Sequence, residues 1–342
     1  MIVKEKLAQL KMGYCINLMQ WKEKEYCITA SEDRDGKVLM VDTETKDVYE
    51  IQGLQGGVMA VIPIPEKEGE FLAIQKFYPV FDSRMAEIVH VKLEAAEEKN
   101  IIPTVIKTVR VLPFVHRIAL TGQPGERKVI AATLCEDKAA VDDWSLPGKV
   151  YEFKLDENWE ITEENILLEG IHKNHGMYEY QKNGGSYLMI SGEEGVWAID
   201  EKSRTQRICT YPVSDLCLFD VDNDGIDEII CITPFHGNHV QILKYDDAQW
   251  HVADNQDIEF GHAVWSGKCG DKNIVIACGR AGDKNTRLYD IICKDRELEV
   301  QYIDIDEGVG ASNIVVTEKN GKVILYAANH EMDEIARYMI EL

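Results

Sequence analysis

Seven strongly apolar, β-branched stretches recur along this chain about 40 to 60 residues apart, and that spacing limits the fold more than any other feature. They begin at Glu25 ("EYCITAS"), Phe71 ("FLAIQKF"), Lys128 ("KVIAATL"), Ser186 ("SYLMISG"), Glu228 ("EIICITP"), Asn273 ("NIVIACG") and Val323 ("VILYAAN"). Each follows a shorter strand-like run and a polar turn. Each is followed by a third run: "KVLMVDT", "AEIVHVKL", "GKVYEFKL", "GVWAID", "HVQILKY", "TRLYDIIC" and "EIARYMIEL". Long amphipathic helical periodicity is scarce. A unit of this kind cannot bury both faces alone, so neighbouring units must stack. The pattern predicts an all-β fold, a seven-bladed β-propeller of four-stranded antiparallel blades. No Pro/Gly/Ser-rich linker interrupts the repeat, so residues 1–342 are read as one domain. The last unit stops at Leu342, after its third strand, and residues 1–10 precede the first complete unit. We expect residues 1–10 to supply the outer strand of the last blade, closing the ring and removing open sheet edges. The run from Leu93 to Asn100 ("LEAAEEKN") reads as an excursion at a blade's outer edge.

Charge narrows the partners. The chain carries 60 acidic against 37 basic residues, a net charge of -23. Phosphates would be repelled, which excludes nucleic acid and anionic membranes as partners. No stretch of about 18 apolar residues exists to span a bilayer. The N-terminus, MIVKEKLAQLKMGY, has no apolar core followed by a small-residue cleavage site, so no signal peptide is expected. The nine cysteines are scattered, without a CxxC pair, mostly inside strand-like runs. They read as buried, reduced thiols of a cytoplasmic protein.

The segment from Phe219 to His239, "FDVDNDGIDEIICITPFHGNH", holds both kinds of candidate site. Asp220, Asp222, Asp224 and Glu228 stand at positions 1, 3, 5 and 9 of a turn, with Gly225 at position 6. Alternating carboxylates around a glycine suit a hard cation such as Ca²⁺. An EF-hand is excluded, because position 12 is Cys231, within a strand, instead of a glutamate. A solvated acidic turn without metal is the alternative.

The topology then gives the histidines positions. The loop entering a blade's inner strand and the loop leaving its second strand open on one face. The turn between those two strands opens on the other. His116, His175 and His262 stand where inner strands begin, and His236 and His330 stand just after second strands. All five would meet on one face around the central channel. His175, His236 and His262, from three consecutive blades, are the expected ligands of a divalent transition metal (Zn²⁺, Mn²⁺ or Fe²⁺). His116 and His330 are candidates for a fourth ligand or a general base. The bland alternative is a rim of hydrogen-bonded histidines. His239 is a weaker candidate, and His90, His172 and His251 fall outside the pattern. The same loops offer Lys76, Tyr78 and Arg280 to hold a substrate oxygen or carboxylate. Glu136 and Asp137 lie on a long insertion that reads as a lid. Trp144 and Trp265 offer stacking surfaces for a sugar, though packing is the commoner aromatic role.

Taken together, "DVDNDGIDE" and the "HR", "NHG", "FHGNH", "GH" and "AANHEMDEIARY" segments resemble the FG-GAP or VCBS propellers, and in particular the propeller of the aldos-2-ulose dehydratases, fungal sugar lyases. The resemblance covers most of the chain. It implies a structural Ca²⁺ at the acidic turn and a metal in the propeller that assists water elimination from a keto-sugar. Oligogalacturonate lyase is an architectural analogue, a seven-bladed propeller with a histidine-bound metal. The first hypothesis is therefore a metal-dependent lyase, dehydratase or isomerase acting on a small carbohydrate. The second is a non-catalytic propeller that binds a partner on its rim and carries a structural calcium loop.

Overall fold

A computed structural model describes residues 1–78, 82–94, 100–294, 297–319 and 321–342. Its strands form seven antiparallel sheets, each one blade. The inner strands, in order, are Gly13–Trp21, Ala60–Pro63, Val115–Thr121, Gly176–Lys182, Asp215–Phe219, Gly261–Cys269 and Ala311–Lys319. The seven apolar stretches are the second strands, and the runs that follow them are the third. Blades 1 to 6 end in outer strands from their own stretch of chain. In blade 7 the outer strand is Ile2–Gln9, paired antiparallel with Glu334–Ile340. Blade 1 carries a fifth, two-residue strand, Ile101–Ile102, running parallel to Val48–Ile51. Residues 95–99, most of the acidic run expected at a blade edge, lie outside the described residues.

Burial explains the strand compositions. A second strand is packed between its own sheet's neighbours and the adjoining blades, so both its faces are apolar. Ile28, Phe71, Ile190, Ile230, Ile276 and Leu325 on these strands are all buried. Outer strands have one wet face and alternate, as in Glu297–Asp306. All nine cysteines are free thiols, and eight of them are buried. No helix among the described residues is long and apolar enough to cross a membrane.

One irregularity recurs where it matters for the site. In four blades the pairing of inner with second strand skips one residue near the start of the inner strand. The skipped residues are Tyr14, His116, His262 and Ser312. A one-residue bulge of this kind re-aims a side chain out of the ladder. Here it brings the side chains of Tyr14, His116 and His262 together at the mouth of the channel, with the Ser312 carbonyl behind His262.

Candidate metal centre at the channel mouth

His175 precedes the inner strand of blade 4, and its N–H donates to the Ser191 carbonyl at 3.1 Å. The next residue must be glycine. A Cβ on Gly176 would stand 2.1 Å from Ser191 Oγ and 2.5 Å from the Ser214 carbonyl, so only a bare backbone lets blades 4 and 5 approach this closely. His236 lies in the turn after the second strand of blade 5, in the left-handed region at φ 46°. Its N–H lies 3.3 Å from Ser214 Oγ. His262 sits at the bulge of blade 6.

These three histidines converge. One ring nitrogen from each lies within 4.8 Å of the others. The Nε2 atoms of His175 and His236 are 3.2 Å apart. The outer nitrogens of two rings are tied down. His175 Nδ1 is 2.7 Å from Asp215 Oδ2, and His262 Nδ1 is 2.6 Å from the Ser312 carbonyl. Both partners only accept, so each Nδ1 carries the hydrogen, and Nε2 is the nitrogen each ring turns inward. Asp215 is in turn held by Arg117, whose Nη2 lies 3.1 Å from Oδ1 and whose Nε donates to the His175 carbonyl at 3.0 Å. A carboxylate behind an imidazole is the usual way a metal-binding histidine is oriented.

Burial decides the protonation. His116, His236 and His262 are held well below the ordinary histidine range, first by burial and then by neighbouring histidines, Arg117 and, for His236 and His262, Arg280. Burial alone would push the Asp215 carboxyl up, but the charges and hydrogen bonds of His175 and Arg117 outweigh it and hold it below its usual value. Three of the rim imidazoles, His116, His236 and His262, are therefore held neutral, and an ionised Asp215 stands behind His175.

The donor set fits a borderline divalent metal. Bonds of about 2.0–2.1 Å in a tetrahedron place ligand atoms roughly 3.3–3.4 Å apart, close to the His175–His236 separation. Neutral nitrogen donors select Zn²⁺, Mn²⁺ or Fe²⁺ over calcium.

The other candidates are arranged around this trio. His116 packs against His175, ring centroids 4.6 Å apart and the planes tilted by 34°. Its Nε2 lies 3.1 Å from the hydroxyl of Tyr14, and its buried Nδ1 has no partner. His330 belongs to a separate rim network: Nε2 is 2.6 Å from Glu32 Oε1, and Nδ1 is 2.9 Å from Arg280 Nη2 and 3.0 Å from Glu331 Oε1. Arg280 lies over Phe260, whose ring packs on His236 at 4.6 Å, so it borders the trio without bonding to it. Lys76 is paired with Glu87 at 2.7 Å, and Tyr78 lies under Arg34. No described contact brings these two to the histidines. In the insertion, Glu136 faces Lys149 at 3.4 Å and Asp137 faces Arg84 at 2.9 Å. Its Trp144 meets Phe235, which stacks on His236 at 4.0 Å, so the insertion does reach the site's edge. Trp265 packs against the core of blades 6 and 7.

The acidic turn lies at the far end of blade 5's inner strand. Asp220, Asp222 and Asp224 assemble as a second group of candidate ligands. Glu228 is buried beneath them and accepts the Val221 N–H at 2.9 Å, while its Oε1 has no hydrogen-bond partner. Lys244, from the third strand, reaches into the group. Its ammonium bonds to Asp222, lies 2.9 Å from Asp224 and is 3.8 Å from Glu228. Asp220 accepts the N–H groups of Asp224 and Gly225 at 3.0 and 2.9 Å. Calcium would compete with Lys244 for the same oxygens.

Sequence reasoning missed Tyr14, Glu32, Arg117, Asp215 and Ser312. The signal was positional. Tyr14 and Ser312 occupy the same bulge as His116 and His262, and Asp215 opens an inner strand, but none is a histidine.

A groove of 890 Å³ lies elsewhere, between blades 4 and 5, bordered by Tyr180, Arg207, Tyr245 and Trp250. Its carboxylate, Asp227, is already bonded by Tyr180 and Lys182.

No family model and no curated protein matches the chain. Solved structures share its fold. A provisionally assigned 6-phosphogluconolactonase from Bacteroides uniformis ATCC 8492 superposes with a TM-score of 0.55 at 10% identity, covering 95% of each chain. A second, from Bacteroides fragilis NCTC 9343, gives 0.54 at 10% identity, covering 95% of this chain and 93% of that one. At that identity the likeness is one of fold.

Proposed function

We propose that the channel mouth is the active site of a metal-dependent carbohydrate-processing enzyme, a lyase, dehydratase or isomerase acting on a keto-sugar or related small saccharide in the cytoplasm. The observation that carries this reading is the convergence of His175, His236 and His262, with the outer nitrogens of His175 and His262 already committed. Support comes from the resemblance to the aldos-2-ulose dehydratase propeller. The fold neighbours named for a sugar-derived substrate point to the same substrate class.

His175, His236 and His262 would hold the metal, and when bound it would supply Lewis-acid polarisation of a substrate oxygen. The chain's own residues do the rest. Asp215 and Arg117 fix the His175 ring, so its Nε2 is presented without reorganisation. Arg280 places a fixed positive charge beside the rim, suited to a substrate carboxylate or a developing oxyanion. Of the two histidines considered as base, His330 is better equipped. Glu32 and Glu331 stand against its ring, where their carboxylates hold the imidazole in place at the rim. His116 is fully enclosed, and its burial makes it a weak base.

The acidic turn is a structural element in this reading. A Ca²⁺ held by Asp220, Asp222 and Asp224 above Glu228 would have to displace Lys244, so we expect calcium to bind weakly there.

The test is turnover. Untagged protein is incubated with Zn²⁺, Mn²⁺ or Fe²⁺ and a panel of keto-sugars, uronates and sugar lactones, and loss of substrate and formation of unsaturated product are followed. Metal-dependent conversion that is lost in His262→Ala supports the reading. No conversion of any sugar with any metal overturns it in favour of a binding propeller.

A further inference from the structure

We propose that the groove between blades 4 and 5 is a second, non-catalytic site, which binds an uncharged saccharide of one or two pyranose rings. It stands apart from the channel mouth and does not depend on the metal reading. One wall comes from the hairpin that ends blade 5. Tyr245 and Trp250 face each other across its strands. A two-residue turn joins those strands, with Asp247 and Ala248 both in the left-handed region at φ 44° and 65°. The two ring centroids are 5.3 Å apart and the planes are tilted by 55°. The Trp250 indole N–H donates to the Ile208 carbonyl, on the outer strand of blade 4, at 2.7 Å. That bond pins the ring across the gap between the blades. Tyr245 is 40% exposed, so aromatic surface is left open to the groove.

The polar groups decide which ligand suits that wall. Three lining residues are charged. Lys182 and Asp227 bond to each other. The Arg207 guanidinium donates to the Glu194 carbonyl and lies over Trp197, 5.2 Å from the ring centroid. A cation would find its partner only by breaking the Lys182–Asp227 pair. An anion would have to do the same, or pull Arg207 off Glu194 and Trp197. What remains is neutral: the amides of Gln206 and Gln249 and the hydroxyls of Tyr211 and Tyr245, none with a hydrogen-bond partner among the described residues. An amide offers donors and an acceptor in one plane. A pyranose uses that combination, because each of its hydroxyls both gives and takes a hydrogen bond. The C–H groups on the face of its ring pack against an aromatic surface. A purely apolar ligand would cover these four groups and leave them unpaired. The volume, 890 Å³, falls within the roughly 300–1,000 Å³ of small-ligand sites.

Saturation-transfer NMR on untagged, chelator-treated protein tests this, with cellobiose, maltose, lactose and N,N′-diacetylchitobiose in excess. Wild type is compared with Tyr245→Ala, Gln249→Ala and His262→Ala, each checked by its melting profile. The expected result is saturable transfer to the ring protons of at least one disaccharide. Binding should be about fivefold or more weaker in Tyr245→Ala, less weakened in Gln249→Ala, and as in wild type in His262→Ala. Gln249 is exposed at the end of the turn, so its variant decides the matter if Tyr245→Ala does not fold. Transfer lost in His262→Ala but kept in both groove variants would put the sugar at the channel mouth. That result overturns the groove site and supports the reading of the rim. Transfer to none of the four disaccharides, or transfer unchanged in all three variants, overturns the groove site and leaves the metal reading untouched.

Discussion

Asp215 and Asp220 stand at the two ends of one five-residue inner strand, Asp215–Phe219 and the residue after it. They are roughly 17 Å apart at about 3.4 Å per residue. Asp215 is spent on orienting His175, whose inward Nε2 meets, among the described residues, only the Nε2 of His236, at 3.2 Å. Asp220 and its neighbours are spent on one another's backbone and on Lys244. The richer cluster of charge is the more fully compensated one. A run of carboxylates advertises itself in a sequence, but a turn whose oxygens are already paired has little left to offer a substrate. The channel mouth has fewer charges and a set of converging ring nitrogens, and that difference is why we propose chemistry at one end and stability at the other.

The sharpest way to break this division is at the rim. His175→Ala removes one of three donors and the ring that carries the Asp215 pairing. Transition-metal binding should fall below detection by calorimetry, with any turnover lost alongside it. The acidic turn should be unaffected, so thermal stabilisation by high Ca²⁺ should match wild type. A rim variant that altered the calcium response would contradict the separation.

The reciprocal change is Lys244→Met. It leaves Asp222 buried without its cation, and breaking a buried pair in this way costs about 3–5 kcal/mol. Added Ca²⁺ should recover part of that loss, because the competitor for the carboxylates has gone. Chemical denaturation with and without Ca²⁺ measures both effects. Unchanged stability would mean that Lys244 contributes nothing to the turn.

Asp215→Asn is milder. The ring of His175 stays, but its partner loses its charge, and metal affinity should drop about 10- to 100-fold. Melting behaviour should change little in comparison. A stability loss with intact affinity would make Asp215 a structural residue of blade 5.

The smallest effect is a difference in sign with pH. His116, His236 and His262 resist protonation when folded, chiefly through burial, whereas in the unfolded chain they protonate near pH 6.5. Below that pH the unfolded state binds more protons, so the rim loses stability as pH falls. Metal should accordingly be retained to a lower pH than ordinary imidazoles, losing protons near 6.5, would allow. Glu228 goes the other way. Burial, then the charge of Asp222, pushes its carboxyl up to about 7 against the opposing Val221 N–H. The unfolded carboxyl ionises first, near 4.5, so this contribution is complete below that pH and is lost as pH rises toward 7. Melting temperature against pH should show both limbs, and Glu228→Gln should flatten only the second.

The blades were legible because a strand buried on both faces must be apolar along its whole length. The seven stretches from Glu25 to Val323 carry that mark without ambiguity. Pairing of residues 1–10 with the last blade could be read from a missing fourth strand. The two-residue parallel strand Ile101–Ile102 could not, since nothing local marks so short a pairing. At the site, His116, His175, His236, His262 and His330 were found because histidine is scarce and their topological positions agreed. Tyr14 in "KMGYCIN" looks like any core aromatic, and Asp215 in "VSDLCLF" looks like the polar start of a strand. Lys244 was invisible for another reason: it comes from a different strand, and only the pairing of the second and third strands of blade 5 brings it across the turn.

The central claim is that the channel mouth holds a transition metal. Elemental analysis of untagged wild type beside His262→Ala, both purified without chelator and then exposed to equimolar Zn²⁺, tests it most directly. The account predicts close to one equivalent in wild type and a large loss in the variant, with equal melting profiles for the two metal-free proteins. Equal metal in both, or none in either, would contradict it and leave a hydrogen-bonded histidine rim on a binding propeller.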